Sequence, residues 1–252
     1  MKILMLDIET APNIAHVWGL WQQNVGLTQL IASGYTLCWA AKWYGEEEMH
    51  YASTFSHGVR AMLLGIHSLL DEADAVVHYN GNKFDVPTLN KEFLLHEMAP
   101  PNPTPNIDLL SVAKKRFRFP SNKLDHIANE LGLGEKLKHI GHQLWVGCMN
   151  DDPESWAMME DYNKQDVVLL EKVYVRMLPW IQGHPNHALY TDEDRPVCPN
   201  CGGVNVKKNG TETTKVMEYQ RYRCVDCGTP LRGRYSVTDI EKKRMVLTQS
   251  KL

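Results

Sequence analysis

Asp7 and Glu9 stand two apart in "LDIET", inside an otherwise apolar stretch. On a strand, alternate residues share a face, so both carboxylates would project together. Two acids in a buried strand are costly unless they are paired or hold a metal. Asp85 follows in "HYNGNKFD", after a second apolar run. Tyr162 and Asp166 are four apart in "YNKQD", the spacing that sets two side chains on one helix face. Hard divalent ions such as Mg²⁺ and Mn²⁺ take carboxylate oxygens. A pair of them can stabilise the attacking and leaving oxygens of a phosphodiester. Each motif alone has a plainer reading. "DIET" can be a strand end entering solvent, Asp85 a helix-start acid favoured by the dipole, and "YNKQD" the wet side of an amphipathic helix.

A second group could bind a different metal. Cys198 and Cys201, then Cys224 and Cys227, form two C-x2-C pairs separated by 22 residues. Four thiolates on two turns complete a tetrahedral Zn²⁺ site. The glycine after each pair fits a tight knuckle whose N–H groups point at sulfur. Disulfides or free thiols are the alternatives, and a cytoplasmic chain disfavours disulfides. Residues 197–235 resemble a zinc ribbon. Lys207, Lys208, Lys215, Arg221, Arg223, Arg232 and Arg234 interleave with Tyr219, Tyr222 and Tyr235. Such a surface can grip phosphates and stack bases; a structural or protein-binding ribbon is the alternative.

The elements that must position these groups follow from periodicity. "KILMLDIET" reads as a central strand covered on both faces. Residues 11–30 lack a period and read as a long irregular connection. There, packing of Trp18 and Trp21 over the core is preferred to stacking on bases. "YTLCWAAKWYG" and "EMHYAST" read as strands, and "AVVHYN" as a short buried one. Val59, Met62, Leu63, Ile66, Leu69 and Leu70 recur at helical spacing. A helix starts near Asp85, with Pro87 tolerable in its first turn. "IDLLSVAKKRF" reads as a short strand running into a helix. "SNKLDHIANELGLG" reads as a helix capped by Ser121. A polar loop reaches Pro153, and a long helix follows whose stripe holds Trp156, Met159, Val167, Leu170, Val173 and Met177. Strands first, then strands alternating with helices, indicate an α/β domain with a mixed sheet. The expected division is 1–185, a linker at 186–196, and a small β domain with a basic tail at 197–252.

In this order the motifs resemble the DnaQ-like, or DEDD, 3′–5′ exonucleases, in the branch with tyrosine in its third motif. The matching residues are "DIET" (Asp7, Glu9, Thr10), "YNGNKFD" (Asn80, Phe84, Asp85) and "YNKQD" (Tyr162, Asp166), spread over residues 1–182. The likeness is to ribonuclease-H-like exonucleases of bacteriophages and bacteria. The histidine branch carries its histidine five before the last aspartate; here that position is Asp161. The resemblance implies a ribonuclease-H-like mixed sheet flanked by helices. It also implies a 3′–5′ exonuclease working with two Mg²⁺ or Mn²⁺ ions. Asp7 would bridge both ions, and Glu9, Asp85 and Asp166 would complete their shells. Tyr162 would orient the attacking water, its phenol protonated at neutral pH. Thr10 and Asn80 would contact the terminal nucleotide, and Phe84 serves equally well as core. His139 and His142 are weaker candidates for a base.

Charge narrows the partners. The net charge is −3, which disfavours a general polyanion binder. From Arg195 onward there are 12 Lys+Arg against 5 Asp+Glu, leaving 15 against 25 before it. A basic tail on an acidic body indicates nucleic-acid contact through the tail. "KKRFRF" (Lys114, Lys115, Arg116, Arg118) either guides a strand toward the acids or is a solvated helix face. The N-terminus does not read as a signal peptide, and no apolar run approaches the ~20 residues of a membrane span, so a cytoplasmic, membrane-free protein is expected. Single-stranded DNA is the expected substrate. An exoribonuclease and a non-catalytic nucleic-acid-binding adaptor are the alternatives. Replication or repair proteins are conceivable partners, since no polymerase domain is present. Cys38 and Cys148 read as small buried hydrophobes.

Overall fold

A computed structural model describes residues 1–137 and 140–250. By contact it divides into two compact units, Met1–Val175 and Arg176–Leu252.

The first unit is built on a five-stranded mixed sheet. Its strands are β1 (Ile3–Thr10), β4 (Thr36–Trp43), β5 (His50–Ser53), β6 (Ala75–His78) and β7 (Asn106–Asp108), in the order β5-β4-β1-β6-β7. A two-stranded ribbon, β2 (Ile14–Ala15) with β3 (Leu30–Ala32), leaves and rejoins it. The helices are α1 (Thr54–His57), α2 (Val59–Glu72), α3 (Asp85–Leu95), α4 (Leu109–Arg116), α5 (Leu124–Glu130), α6 (Gln143–Met149) and α7 (Pro153–Met177). β1 is central, antiparallel to β4 and parallel to β6.

Both faces of β1 are covered, which is why its sequence is nearly all apolar. Leu4, Leu6 and Ile8 pack with Met62, Leu63 and Ile66 of α2 and with Leu89 and Phe93 of α3. Burying each such side chain contributes roughly 1.5–3 kcal/mol. The period of two therefore turns Asp7 and Glu9 to the opposite face. There Cys38, opposite Glu9, packs with Leu144, Cys148, Trp156, Met159 and Tyr162.

Several expectations need correction. Trp18 and Trp21 do not cover the core: they are 98% and 85% exposed. Phe84 and Val59 are also exposed rather than core. Ser121 does not cap α5; that helix starts three residues later, and the Ser121 hydroxyl accepts from the Lys123 amide at 3.3 Å. The segment read as a polar loop contains α6, a helix too short to show a clear period.

The second unit carries β8 (Val206–Thr213), β9 (Glu218–Cys224) and β10 (Pro230–Ser236) in the order β10-β9-β8, then α8 (Ile240–Met245). The expected hairpin is thus extended by a third strand. Among the described residues, no helix is long and apolar enough to cross a membrane.

Candidate active site

The site gathers at the carboxyl ends of the parallel strands, where open α/β sheets place their ligands. β1 presents Asp7 and Glu9, with a register shift at Thr10. The turn after β6 is tightly specified. Asn80 takes a left-handed φ of 71°, which asparagine tolerates, and its amide donates to Asp108 Oδ1 at 3.0 Å. The Gly81 amide donates to Nδ1 of the fully buried His78 at 3.0 Å. A Cβ at position 81 would lie 2.3 Å from the His78 ring, so glycine is required there. This turn delivers Asp85 to the first turn of α3, where its Oδ1 accepts from the Ile8 amide at 3.3 Å.

α7 brings the remaining groups. Asp7, Glu9 and Asp166 each offer an oxygen, and the three lie within 4.8 Å of one another. Asp85 stands outside that cluster, turned toward β1. Asn80 lines a cleft of about 410 Å³ with Asp7, Tyr79, Leu110, Asn122, Lys123 and Lys136. Thr10 is half-buried beside Glu9. His139 lies outside the described residues.

Three residues not singled out in the sequence join the acids. The Lys136 ammonium pairs with Asp166 and donates to the Tyr162 hydroxyl at 3.1 Å. Asn163, 0% exposed, donates from Nδ2 to Asp7 Oδ2 at 2.7 Å and to the Asp7 carbonyl at 3.3 Å. Its Oδ1 faces the Cys38 thiol at 3.8 Å, so the thiol donor favours the amide orientation that points nitrogen at Asp7. Trp145 of α6 donates to Glu9 Oε2 at 3.2 Å and packs edge-on against Tyr162. Only Asn163 had a local signal: it lies three before Asp166, on the same helix side.

The electrostatics are those of an under-compensated acidic cluster. Burial, then the like charges of Glu9, Asp85 and Asp166, hold the Asp7 carboxyl well above the usual carboxylate range. Burial, and next Asp166, push Glu9 up to about 7. Burial raises Asp85 to about 7 against the pull of backbone amides. Burial also raises Asp166, although Lys136 opposes it. Burial works against the charge of Lys136, but Asp166, Tyr162 and Asp7 together outweigh it and lift that amine above its ordinary value. Tyr162 is pushed up to about 12, by burial and then Asp166, so its phenol is protonated at neutral pH. Oδ1 of the buried Asp166 meets no hydrogen-bond donor among the described residues. Hard oxygen donors, an orphaned buried oxygen and excess negative charge all fit a divalent cation.

The residues matched to the RNase_H superfamily run from 4 to 178. The chain belongs to the RNase H superfamily. Its structure is also similar to the family B DNA polymerase from the hyperthermophilic archaeon Pyrobaculum calidifontis, with TM-score 0.54 and 17% identity over 71% of this chain. The chain spans 24% of that polymerase's length. No curated protein matches it in sequence. These likenesses support the ribonuclease-H-like fold, and the superfamily supports nuclease-type activity.

In the second unit, the four cysteines form the other metal-ready cluster among the described residues. Cys198 and Cys227 sulfurs are 3.7 Å apart, and Cys201 and Cys224 3.6 Å. Sulfurs held tetrahedrally at about 2.3 Å from a zinc ion would be about 3.8 Å apart. Gly202 and Gly228 have φ of 75° and 82°, and the Gly203 amide points at Cys201 sulfur at 3.4 Å, as knuckles require. All four cysteines are free of disulfides. Lys207 and Lys208 on β8 and Arg221 and Arg223 on β9 are exposed, and Lys207 lies directly opposite Arg223. Arg221 and Arg223 also donate to the carbonyls of Asn209 and Gly228, each at 3.0 Å.

Proposed function

We propose that this protein is a metal-dependent 3′–5′ exonuclease of the DEDD tyrosine branch, acting on single-stranded nucleic acid with DNA preferred to RNA. One observation carries the reading: Asp7, Glu9 and Asp166 converge within 4.8 Å, Tyr162 and Asp166 share the Lys136 ammonium, and Asp7 lines a cleft with Asn80. Asp7, Glu9, Asp85 and Asp166 would hold two Mg²⁺ or Mn²⁺ ions. Bound there, the ions would stabilise the negative charge that phosphodiester hydrolysis places on its attacking and leaving oxygens.

The chain's own groups do the rest. Tyr162, protonated, holds the attacking water by its hydroxyl rather than removing a proton. Asn163 fixes the plane of the Asp7 carboxylate, and Trp145 fixes Glu9. Lys136 balances part of the acidic charge. Asn80 and Thr10 contact the terminal nucleotide. In the second unit, Cys198, Cys201, Cys224 and Cys227 hold one structural Zn²⁺, which suits the reducing cytoplasm. Lys207, Lys208, Arg221 and Arg223 grip nucleic acid there. We divide the chain functionally into a nuclease at 1–185, a linker at 186–196 and the ribbon with its tail at 197–252. Replication or repair proteins are its expected partners.

The test is degradation of end-labelled single- and double-stranded DNA and RNA with Mg²⁺ or Mn²⁺. Mononucleotides released from the 3′ end of single strands support the reading, and Asp7→Ala should abolish that release while keeping the fold. Preferential digestion of RNA would make the protein an exoribonuclease. No release with either ion would leave an adaptor.

A further inference from the structure

The segment between Leu110 and Lys123 begins and ends at the acidic cleft. Leu110, in the first turn of α4, lines that cleft, and so do Asn122 and Lys123. Between them lie the rest of α4 and the loop that returns from it. α4 has eight residues and is therefore about 12 Å long. Its far end carries Lys114, Lys115 and Arg116, and Arg118 follows in the returning loop.

The charge of this excursion is one-sided. Of the 15 lysines and arginines before Arg195, five lie at 114, 115, 116, 118 and 123, and no acid occurs between Asp108 and Asp125. All five are exposed, and none forms an ion pair among the described residues. Elsewhere this unit is acidic. Phe117 and Phe119 sit within the same stretch with rings 5.6 Å apart, and both are half-buried, which anchors the returning loop.

We propose that Lys114, Lys115, Arg116 and Arg118 form the track for the phosphates of a single strand whose 3′ end lies in the cleft. This rests on the nuclease reading and adds the path by which substrate arrives. A terminal nucleotide alone would meet mostly negative charge at the acids. Cations about a helix length away attract the rest of the strand without competing with metals for the carboxylates. An acidic protein could also be drawn to exposed cations, but continuity with the cleft favours the nucleic-acid strand that the cleft would cut.

The test compares the full chain with a variant carrying Lys114→Gln, Lys115→Gln, Arg116→Gln and Arg118→Gln. Glutamine keeps the helix propensity of these exposed positions, and circular dichroism checks the fold. Binding of a 20-nucleotide single strand is followed by fluorescence anisotropy on the zinc-loaded chain with no Mg²⁺ or Mn²⁺ added, as a function of salt. Each lost phosphate contact on a single strand lowers the salt slope by about 0.7, so the slope should fall by about 2–3. The kcat/KM of the 20-mer relative to that of a dinucleotide, too short to reach the track, should fall about tenfold. An unchanged slope in the folded variant overturns the track, as does an unchanged substrate ratio. If the wild-type protein cuts neither substrate, the nuclease reading fails, while the slope still decides whether this strip binds a strand.

Discussion

Asp85→Asn should make the metal-free protein more stable while removing its function. The Asp85 carboxyl is buried, and its pKa rises from an ordinary 3.8 to about 7. An acid with a raised folded-state pKa makes the native state bind more protons than the unfolded state between those values. Stability is therefore lost as pH rises through that window. At pH 8 the ionised carboxylate costs the native state about 4 kcal/mol at face value. Halving this for relaxation leaves about 2 kcal/mol. Asparagine keeps the oxygen that accepts from the Ile8 amide and carries no charge. It forgoes about 0.3–1 kcal/mol of favourable interaction with the start of α3. The net gain is about 1–2 kcal/mol at pH 8, shrinking toward zero near pH 4. Of the seven tryptophans, only Trp180 lies outside the first unit, so urea unfolding in EDTA, followed by tryptophan fluorescence, reports on that unit. With saturating Mn²⁺ the order should reverse, because the wild type gains more from the ion. A variant no more stable than wild type at pH 8, or a gain that does not vary with pH, would refute the reasoning.

Lys136→Met should lower the metal-free melting temperature by several degrees, because it strips Asp166 of its partner. Mn²⁺ should then raise that temperature more than in wild type, since no ammonium is displaced; an equal rise counts against a shared location. Asn163→Ala removes a charge-assisted bond worth about 1.5–3 kcal/mol and should weaken Mn²⁺ binding at least tenfold by calorimetry, whereas unchanged affinity would remove Asn163 from the positioning of Asp7. Tyr162→Phe should slow turnover at least tenfold with little change in melting temperature, and normal turnover would exclude the phenol from the reaction. Cys201→Ser should leave the purified chain without its zinc and remove amide protection from β9 in hydrogen exchange; retained protection would show that the strands do not depend on the metal.

Much of the scaffold can be read from local pattern. The apolar run around Asp7 and Glu9 marked a strand covered on both faces, and the stripe from Trp156 to Met177 marked α7. Those periods depend on residues a few positions apart, where sequence and geometry are directly linked. Short elements carry less pattern, which is why α6 and β10 were missed. The aromatic pair Trp18 and Trp21 misled in the other direction. Hydrophobicity favours burial, but the segment between β1 and β4 leaves the sheet and carries both rings into solvent.

By itself the sequence determined the spacing of the acids, their order on strand and helix, and the paired cysteines. Spacing along one element is enough to put Tyr162 with Asp166, or Asp7 with Glu9, on one face. Tertiary structure alone decided what meets those faces. Lys136 reaches Asp166 across 30 residues, Trp145 reaches Glu9 across 136, and Asn163 reaches Asp7 across 156. No period encodes such partners. They meet because α6, α7 and the loop carrying Lys136 lie over one face of β1, and burial there leaves each polar group to find a partner or bear the cost of desolvation.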